Sequence, residues 1–208
     1  MSVAGTQSYK GKLLLDEPMA KHTSWRLGGP VDRYYVPADL DDLSAYLASL
    51  DANTEILWVG RGSNLLVRDG GFRGQVIAPL GALKALRLED DGTVYAECGI
   101  PCSKLARFCQ KNGLGGAEFF AGIPGTVGGA LTMNAGAFGG ETWNQVQRAV
   151  VINRRGEVSE RGPDSFDISY RHVGFPADQW FVAAYFRFSP STEGEACLSY
   201  VAYLVAQK

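Results

Sequence analysis

The sequence predicts an α+β protein of two small lobes, on three observations. The first half reads as strand, helix, strand, loop and strand, whereas the second half is mostly hairpins around one helix and lacks regular alternation. A break at Pro79 and Gly81 separates the halves, placing lobe one at residues 1–80 and lobe two at 81–208. Glycine is the compositional outlier, at 26 of 208 residues against roughly 7% in ordinary proteins.

Taken in order, only the first ten residues or so invite a reading as disorder. "VDRYYVP" (31–37) reads as a strand. "DLDDLSAYLASL" (39–50) reads as a helix: Leu40, Leu43, Leu47 and Leu50 share a face, Asp39 is placed to cap it, and Asp41 and Asp42 suit its first turn. "EILWVG" (55–60), "LLV" (65–67) and "QVIAPL" (75–80) read as strands, with "RGSN" and "RDGGFRG" as the turns between them.

The second half opens with a hairpin, "LKALRLE" and "TVYAEC" around "DDG". "PCSKLARFCQKNG" (101–113) is a short helix by the period of Leu105, Phe108, Cys109 and Asn112, and Gly113 supplies the stop. The stretch "AGIPGTVGGALTMNAGAFGG" (121–140) follows, too rich in glycine for an ordinary helix and too apolar for a solvent loop. "VQRAVVINRRGEVSE" is a second hairpin turning near Arg155–Gly156, and "WFVAAYFRFS" (180–189) is a strong strand. "SPSTEGEA" is turn-like, and the final "CLSYVAYLVAQK" suits either a strand or a helix.

Hydrophobic residues make up 46% and charged residues 20%, the balance of a soluble globular chain. The net charge of -2, with lysine and arginine dispersed, leaves no basic footprint for nucleic acid. No apolar run reaches the ~18 residues of a membrane span, and no signal-peptide core follows the start, so a cytoplasmic setting is expected. Cys98, Cys102, Cys109 and Cys197 lack the spacing of a zinc site and have only His22 and His172 to join them. They read as buried free thiols, with no metal.

The first glycine loop is "VGRGSNLLV". Gly60 and Gly62 permit a sharp turn, successive backbone N–H groups there form an anion nest, and Ser63 adds a hydroxyl donor. A plain strand–loop–strand turn would give the same pattern. It is neither a dinucleotide fingerprint, since no acceptable helix follows, nor a phosphate loop of the Walker type, since the lysine is missing. In the second loop, Gly122, Gly125, Gly128 and Gly129 allow close approach to something flat or phosphorylated. Thr126 offers a hydrogen bond, and Ile123 and Val127 offer apolar contact. "MNAGAFGG" repeats the device with the amide of Asn134 beside Gly136. Close packing between lobes is the alternative; two such loops together favour a large cofactor.

"HTSWRLGGPVDRYYVP", "VGRGSNLLV", "GIPGTVGGALTMNAGAFGG" and "FDISYRH" occur in an order and spacing that resemble the UDP-N-acetylenolpyruvoylglucosamine reductases, over residues 20 to about 190. The resemblance implies the two-lobed FAD-binding fold of the vanillyl-alcohol oxidase/PCMH type. It implies that Gly60, Arg61, Gly62, Ser63, Asn64 and Leu65 hold the FAD pyrophosphate. Gly122, Ile123, Gly125, Thr126, Gly128, Gly129, Asn134 and Gly136 would lie along the cofactor, so that Gly128→Val abolishes FAD binding by a clash. The implied reaction is reduction of UDP-N-acetylglucosamine enolpyruvate to UDP-N-acetylmuramate, a peptidoglycan precursor, with NADPH as hydride donor. Tyr170 would contact substrate phosphate or carboxylate, and Arg171 would polarise the carboxylate with its permanently charged fork. Arg26 is expected near the cofactor in a structural role, and His172 is assigned none.

The resemblance has limits. Val173 stands where the family commonly has serine. After Phe188 nothing matches the family's substrate domain, which carries the proton-donating serine and a late glutamate; Ser199, Glu193 and Glu195 lack that context. The expectation is therefore the FAD-binding part of a reductase, as a fragment or C-terminally altered form. The alternative is a short paralogue or non-catalytic flavin-binding protein.

Overall fold

A computed structural model describes residues 9–174 and 176–191. The closing run "CLSYVAYLVAQK", most of "SPSTEGEA", and Cys197, Ser199, Glu193 and Glu195 lie outside the described residues, as do residues 1–8.

The first sheet is built from β1 (Lys12–Pro18), β2 (Pro30–Val36), β3 (Ile56–Trp58) and β4 (Phe72–Ile77), in the order β1-β2-β4-β3. β2, β4 and β3 are parallel, and β1 runs antiparallel on the edge of β2. The crossover between β2 and β3 is helix α1 (Leu40–Ala48). Asp39 caps it by accepting from the backbone N–H of Asp42 at 2.8 Å, and Leu43, Tyr46 and Leu47 form its buried face.

The second sheet is antiparallel. It comprises β5 (Leu86–Leu88) and β6 (Val94–Glu97), then β10 (Val146–Asn153), β11 (Val158–Arg161) and β14 (Gln179–Phe186), ordered β11-β10-β14-β6-β5. Between them lie α2 (Cys102–Lys111), α3 (Val127–Thr132) and four two- or three-residue strands: β7 (Leu114–Gly115), β8 (Gly136–Ala137), β9 (Gly140–Glu141), which pairs with β8, and β12 (Asp167–Ser169). β12 pairs with β13 (His172–Gly174), and β7 pairs with β15 (Ser189–Pro190).

Three clusters hold these layers. One lies outside the first sheet, on Met19, Val31, Val59 and Val76. Another packs α2 and α3 on the second sheet, through Leu105, Leu131, Phe120 and Phe186. The third joins the sheets: Tyr35, Leu43, Leu47 and Ile77 meet Tyr95, Val150, Ile152 and Val182. α1 is thus shared filling, which sets the two sheets at a fixed separation with a cleft beside them.

Several elements differ from the sequence reading. "LLV" (65–67) is not a strand: Val67 is buried with Met19 and Val31, but the segment has no ladder partner. β1 and the β12–β13 hairpin were not anticipated. β1 is mostly exposed, and "DISYRHVG" has too few apolar residues to show an alternation. α3 forms inside the glycine stretch because tertiary bonds start it: Val127 N–H donates to Ile100 O at 2.8 Å and Gly128 N–H to Cys98 O at 2.9 Å.

Candidate functional site

The two glycine loops meet across the cleft. β3 runs into residues 60–65, and α3 presents its first turn opposite. Together they border a cavity of about 660 Å³, within the range of cofactor sites. Gly60, Arg61, Gly62, Ser63, Asn64, Leu65, Ile123, Gly125, Thr126, Gly128, Gly129 and Arg171 all line it. Among the described residues, no backbone N–H of residues 60–64 donates to a protein acceptor. A run of unpaired donors concentrated on one loop is what an anion needs. Arg61 and Arg171 add positive charge, and neither forms an ion pair among the described residues.

The glycines divide into two groups by what a side chain would meet. At Gly60 a Cβ would stand 2.5 Å from Thr126 Oγ1, and at Gly128 it would stand 2.9 Å from Cys98 Cβ. At Gly62, which has φ +61°, it would fall on the carbonyl of His22; at Gly122 it would fall on the Phe138 ring, and at Gly136 on the carbonyl of Gly140. These five serve close approach of the protein to itself. At Gly125 the nearest atoms, Ile123 Cγ2 and Ser63 Oγ, are both 3.7 Å away, and at Gly129 only Thr126 Oγ1 comes within reach, at 3.9 Å. Only Gly125 and Gly129 leave their missing side chains as free space at the cavity wall. The clash expected for Gly128→Val is therefore with Cys98 and not with a ligand, and the steric test moves to Gly125 and Gly129.

A second cavity of about 310 Å³ adjoins the first, lined by Asn134, Gly136, Phe138, Glu141, Tyr170 and Arg171 among others. Tyr170 and Arg171 are the two turn residues of the β12–β13 hairpin. Arg171 sits at φ +57°, and the Tyr170 side chain is 83% exposed. Arg171 borders both cavities. Gly122 lines neither. Asn134, expected to offer its amide to a ligand, is buried and commits that amide to the protein. Nδ2 donates to Glu141 Oε2 at 2.9 Å and to Ser169 O at 3.1 Å, and Oδ1 accepts from Trp143 N–H at 3.1 Å. It ties the glycine strip to the hairpin that carries Arg171.

Around this frame, Arg26 is exposed, in a turn whose Ser24 N–H donates to Gly62 O at 3.0 Å. His172 is exposed at the start of β13. Cys98, Cys102 and Cys109 are free and buried, and burial pushes the Cys102 and Cys109 thiols up to about 12, far from nucleophilic use. Among the described residues no cluster of His, Cys, Asp or Glu is arranged to hold a metal, and no helix is long and apolar enough to cross a membrane. Sequence reasoning missed Trp58, Gln179 and Trp180 on the wall of the larger cavity. No motif marks them, and the two tryptophans lie in strand candidates of different halves of the sequence.

Residues 31–162 match the family described as FAD binding domain. The chain is 51% identical over its full 208 residues to UDP-N-acetylenolpyruvoylglucosamine reductase of Alkalilimnicola ehrlichii, of which it spans 69%. It is 50% identical over 199 residues to the protein of the same name in Methylococcus capsulatus, covering 96% of this chain and 65% of that relative. In fold it is similar to UDP-N-acetylenolpyruvylglucosamine reductase from Thermus caldophilus, with a TM-score of 0.80 at 23% identity over 96% of this chain and 70% of that one. It also resembles 6-hydroxy-D-nicotine oxidase from Arthrobacter nicotinovorans, with a TM-score of 0.65 at 15% identity over 91% and 44% of the two chains. The architecture is thus the α+β FAD-binding fold of the vanillyl-alcohol oxidase/PCMH type. About half of all residues are identical across a chain that spans about two thirds of these relatives, and it belongs to the UDP-N-acetylenolpyruvoylglucosamine reductase family.

Proposed function

We propose that the chain is the flavin-binding part, lobes 1–80 and 81–208, of an enzyme that reduces UDP-N-acetylglucosamine enolpyruvate to UDP-N-acetylmuramate with NADPH. The observation that carries this reading is the run of unpaired N–H groups at residues 60–64 facing Gly125 and Gly129, in a chain of this family. FAD fits these residues: the loop supplies donors for a pyrophosphate, and the two glycines leave room for a long flat ligand against α3. Bound FAD supplies two-electron redox chemistry.

The residues of this chain do the positioning. Donors fixed on a rigid turn neutralise phosphate charge without reorganising when the ligand arrives. Asn134 holds the hairpin, and the hairpin places Arg171 at the boundary between the two cavities. There a guanidinium binds a carboxylate in two places and stabilises negative charge developing next to it. The Tyr170 hydroxyl, on the same tip, donates to a phosphate or carboxylate of the substrate.

The test is the absorption spectrum of purified protein after gel filtration, with any released chromophore identified, followed by addition of NADPH and then of the enolpyruvyl nucleotide. A flavin spectrum from FAD that NADPH bleaches and substrate restores supports the reading. FAD that NADPH leaves oxidised supports a non-catalytic flavin-binding protein instead. Colourless protein that takes up no added FAD overturns both.

A further inference from the structure

The turn between β10 and β11 reaches back to the first half of the chain. Asn153 builds it: Oδ1 accepts from the backbone N–H groups of Arg155 at 2.9 Å and Glu157 at 3.1 Å, and Nδ2 donates to Glu157 Oε2 at 2.7 Å. Gly156, at φ +77°, lies so close to α1 that a Cβ there would fall on the carbonyl of Ser44. The backbone of Arg154 is thus fixed before its side chain is considered.

That side chain joins two walls of the larger cavity. Nη1 donates to Thr54 O at 2.8 Å and Nη2 to Asp178 Oδ1 at 2.7 Å, while the backbone N–H of Arg154 donates to Asp178 O at 3.1 Å. Thr54 lies two residues before β3, whose Ile56, Leu57 and Trp58 line the cavity. Asp178 lies one residue before β14 and lines the same cavity from the second half of the chain. Beyond these bonds Trp58 stacks on Trp180, with centroids 5.6 Å apart and planes 19° from parallel, against the cluster that joins the two sheets. One cation therefore sets the spacing at which the two strands enter the cavity wall.

The two ends of the ion pair differ. The Arg154 side chain is 19% exposed and the Asp178 side chain 55%. Asp178 also sits at φ +57°, in the left-handed region that aspartate tolerates but does not favour, within the exposed segment 176–178. The carboxylate is the end that leaves for water when the pair breaks, and the segment goes with it.

We propose that Arg154 is a positioning residue of the flavin site: by clamping Thr54 to Asp178 it holds the two cavity walls at their spacing and slows escape of the bound flavin dinucleotide. Arg154 lines neither cavity, so it acts through the strands that it joins. Its loss quickens release more than it slows entry. This inference rests on the flavin reading above.

The experiment follows release of FAD from the loaded full chain after rapid dilution, by flavin fluorescence. It compares wild type with Arg154→Met, which keeps an apolar stem but loses the donors, and Asp178→Asn, which keeps an oxygen acceptor but loses the charge. Arg154→Met is expected to release FAD about 10-fold faster, the loss of a charged hydrogen bond, with association within about 3-fold of wild type. Asp178→Asn is expected to fall between the two. Wild-type release is expected to quicken with salt up to about 1 M as the half-exposed pair is screened. Asparagine should flatten that rise, since the contribution of the FAD phosphates is common to both proteins. A brace that only stabilised the fold would move urea midpoints and leave this salt difference unmoved. In a Trp25→Phe background, which removes an exposed indole, Arg154→Met is also expected to raise acrylamide quenching of tryptophan emission as the Trp58–Trp180 stack opens. Release from Arg154→Met within about 2-fold of wild type, or the same salt dependence in Asp178→Asn as in wild type, overturns the proposal. Wild type that takes up no FAD overturns the flavin reading alone. The quenching comparison then decides whether Arg154 holds the walls, and equal quenching in both proteins refutes it.

Discussion

Replacing Gly129 and Gly128 in parallel separates a glycine that makes room for a ligand from one that makes room for the protein. At Gly129 a Cβ meets nothing closer than Thr126 Oγ1 at 3.9 Å, and the position is helical. Valine there changes the intrinsic helix term by only about half a kcal/mol relative to glycine, so the urea midpoint is expected to stay close to that of wild type. Its isopropyl group projects from the cavity wall, where overpacking against a bound ring system costs about 1–3 kcal/mol, or about 5- to 150-fold in affinity. At Gly128 a Cβ lies 2.9 Å from Cys98 Cβ and 3.3 Å from Cys98 O, beside the 2.9 Å hydrogen bond that anchors α3 to the second sheet. Gly128→Ala is expected to destabilise the fold by about 1–3 kcal/mol, with any loss of FAD following from that. The assay is a flavin fluorescence titration paired with urea denaturation for each variant. A Gly129→Val protein that binds FAD like wild type, or that is destabilised as much as Gly128→Ala, would refute the division.

Three further outcomes follow from the same structure. Arg171→Ala is expected to leave FAD affinity within about 3-fold and to weaken the enolpyruvyl nucleotide by about 10-fold or more, the loss of a charged hydrogen-bonding partner; substrate titration of the FAD-loaded protein checks both. Asn134→Ala removes three hydrogen bonds and puts alanine at φ +39°, so a loss of about 2–4 kcal/mol is expected in urea unfolding. At Asp42, burial pushes the carboxyl up, but hydrogen bonds from the Tyr35 hydroxyl and the backbone N–H groups of Ala38 and Lys10 outweigh it and hold the group below the ordinary aspartate range. A depressed folded value means the stabilisation is complete above the unfolded value and is lost as pH falls through the folded one. Asp42→Asn should therefore be less stable than wild type by about 1–3 kcal/mol at pH 7, with the gap closing as pH falls below the ordinary aspartate range, as read from urea midpoints across pH.

What could be read from the sequence depended on whether the cause was local. Asp39 caps α1 through a bond three residues away, and Gly113 ends α2 at φ +65°, so both features are visible in a short window. The second glycine loop was legible as a signal but not as a mechanism. Gly60 is glycine because Thr126 packs on it, and Gly128 because Cys98 does; the partners lie 66 and 30 residues away, and no spacing rule names them. Of that loop's glycines, Gly122, Gly128 and Gly136 serve packing, within the second half of the chain and not between lobes, while Gly125 and Gly129 leave open space at the cavity wall. Asn134 shows the same limit from the other side. An amide in a glycine strip suggests a ligand donor, yet its partners on Glu141, Trp143 and Ser169 make it the link between strip and hairpin. A motif of this kind reports a cleft because a cleft needs both kinds of position: backbones pressed together to fix its walls, and a few bare ones left facing the space between.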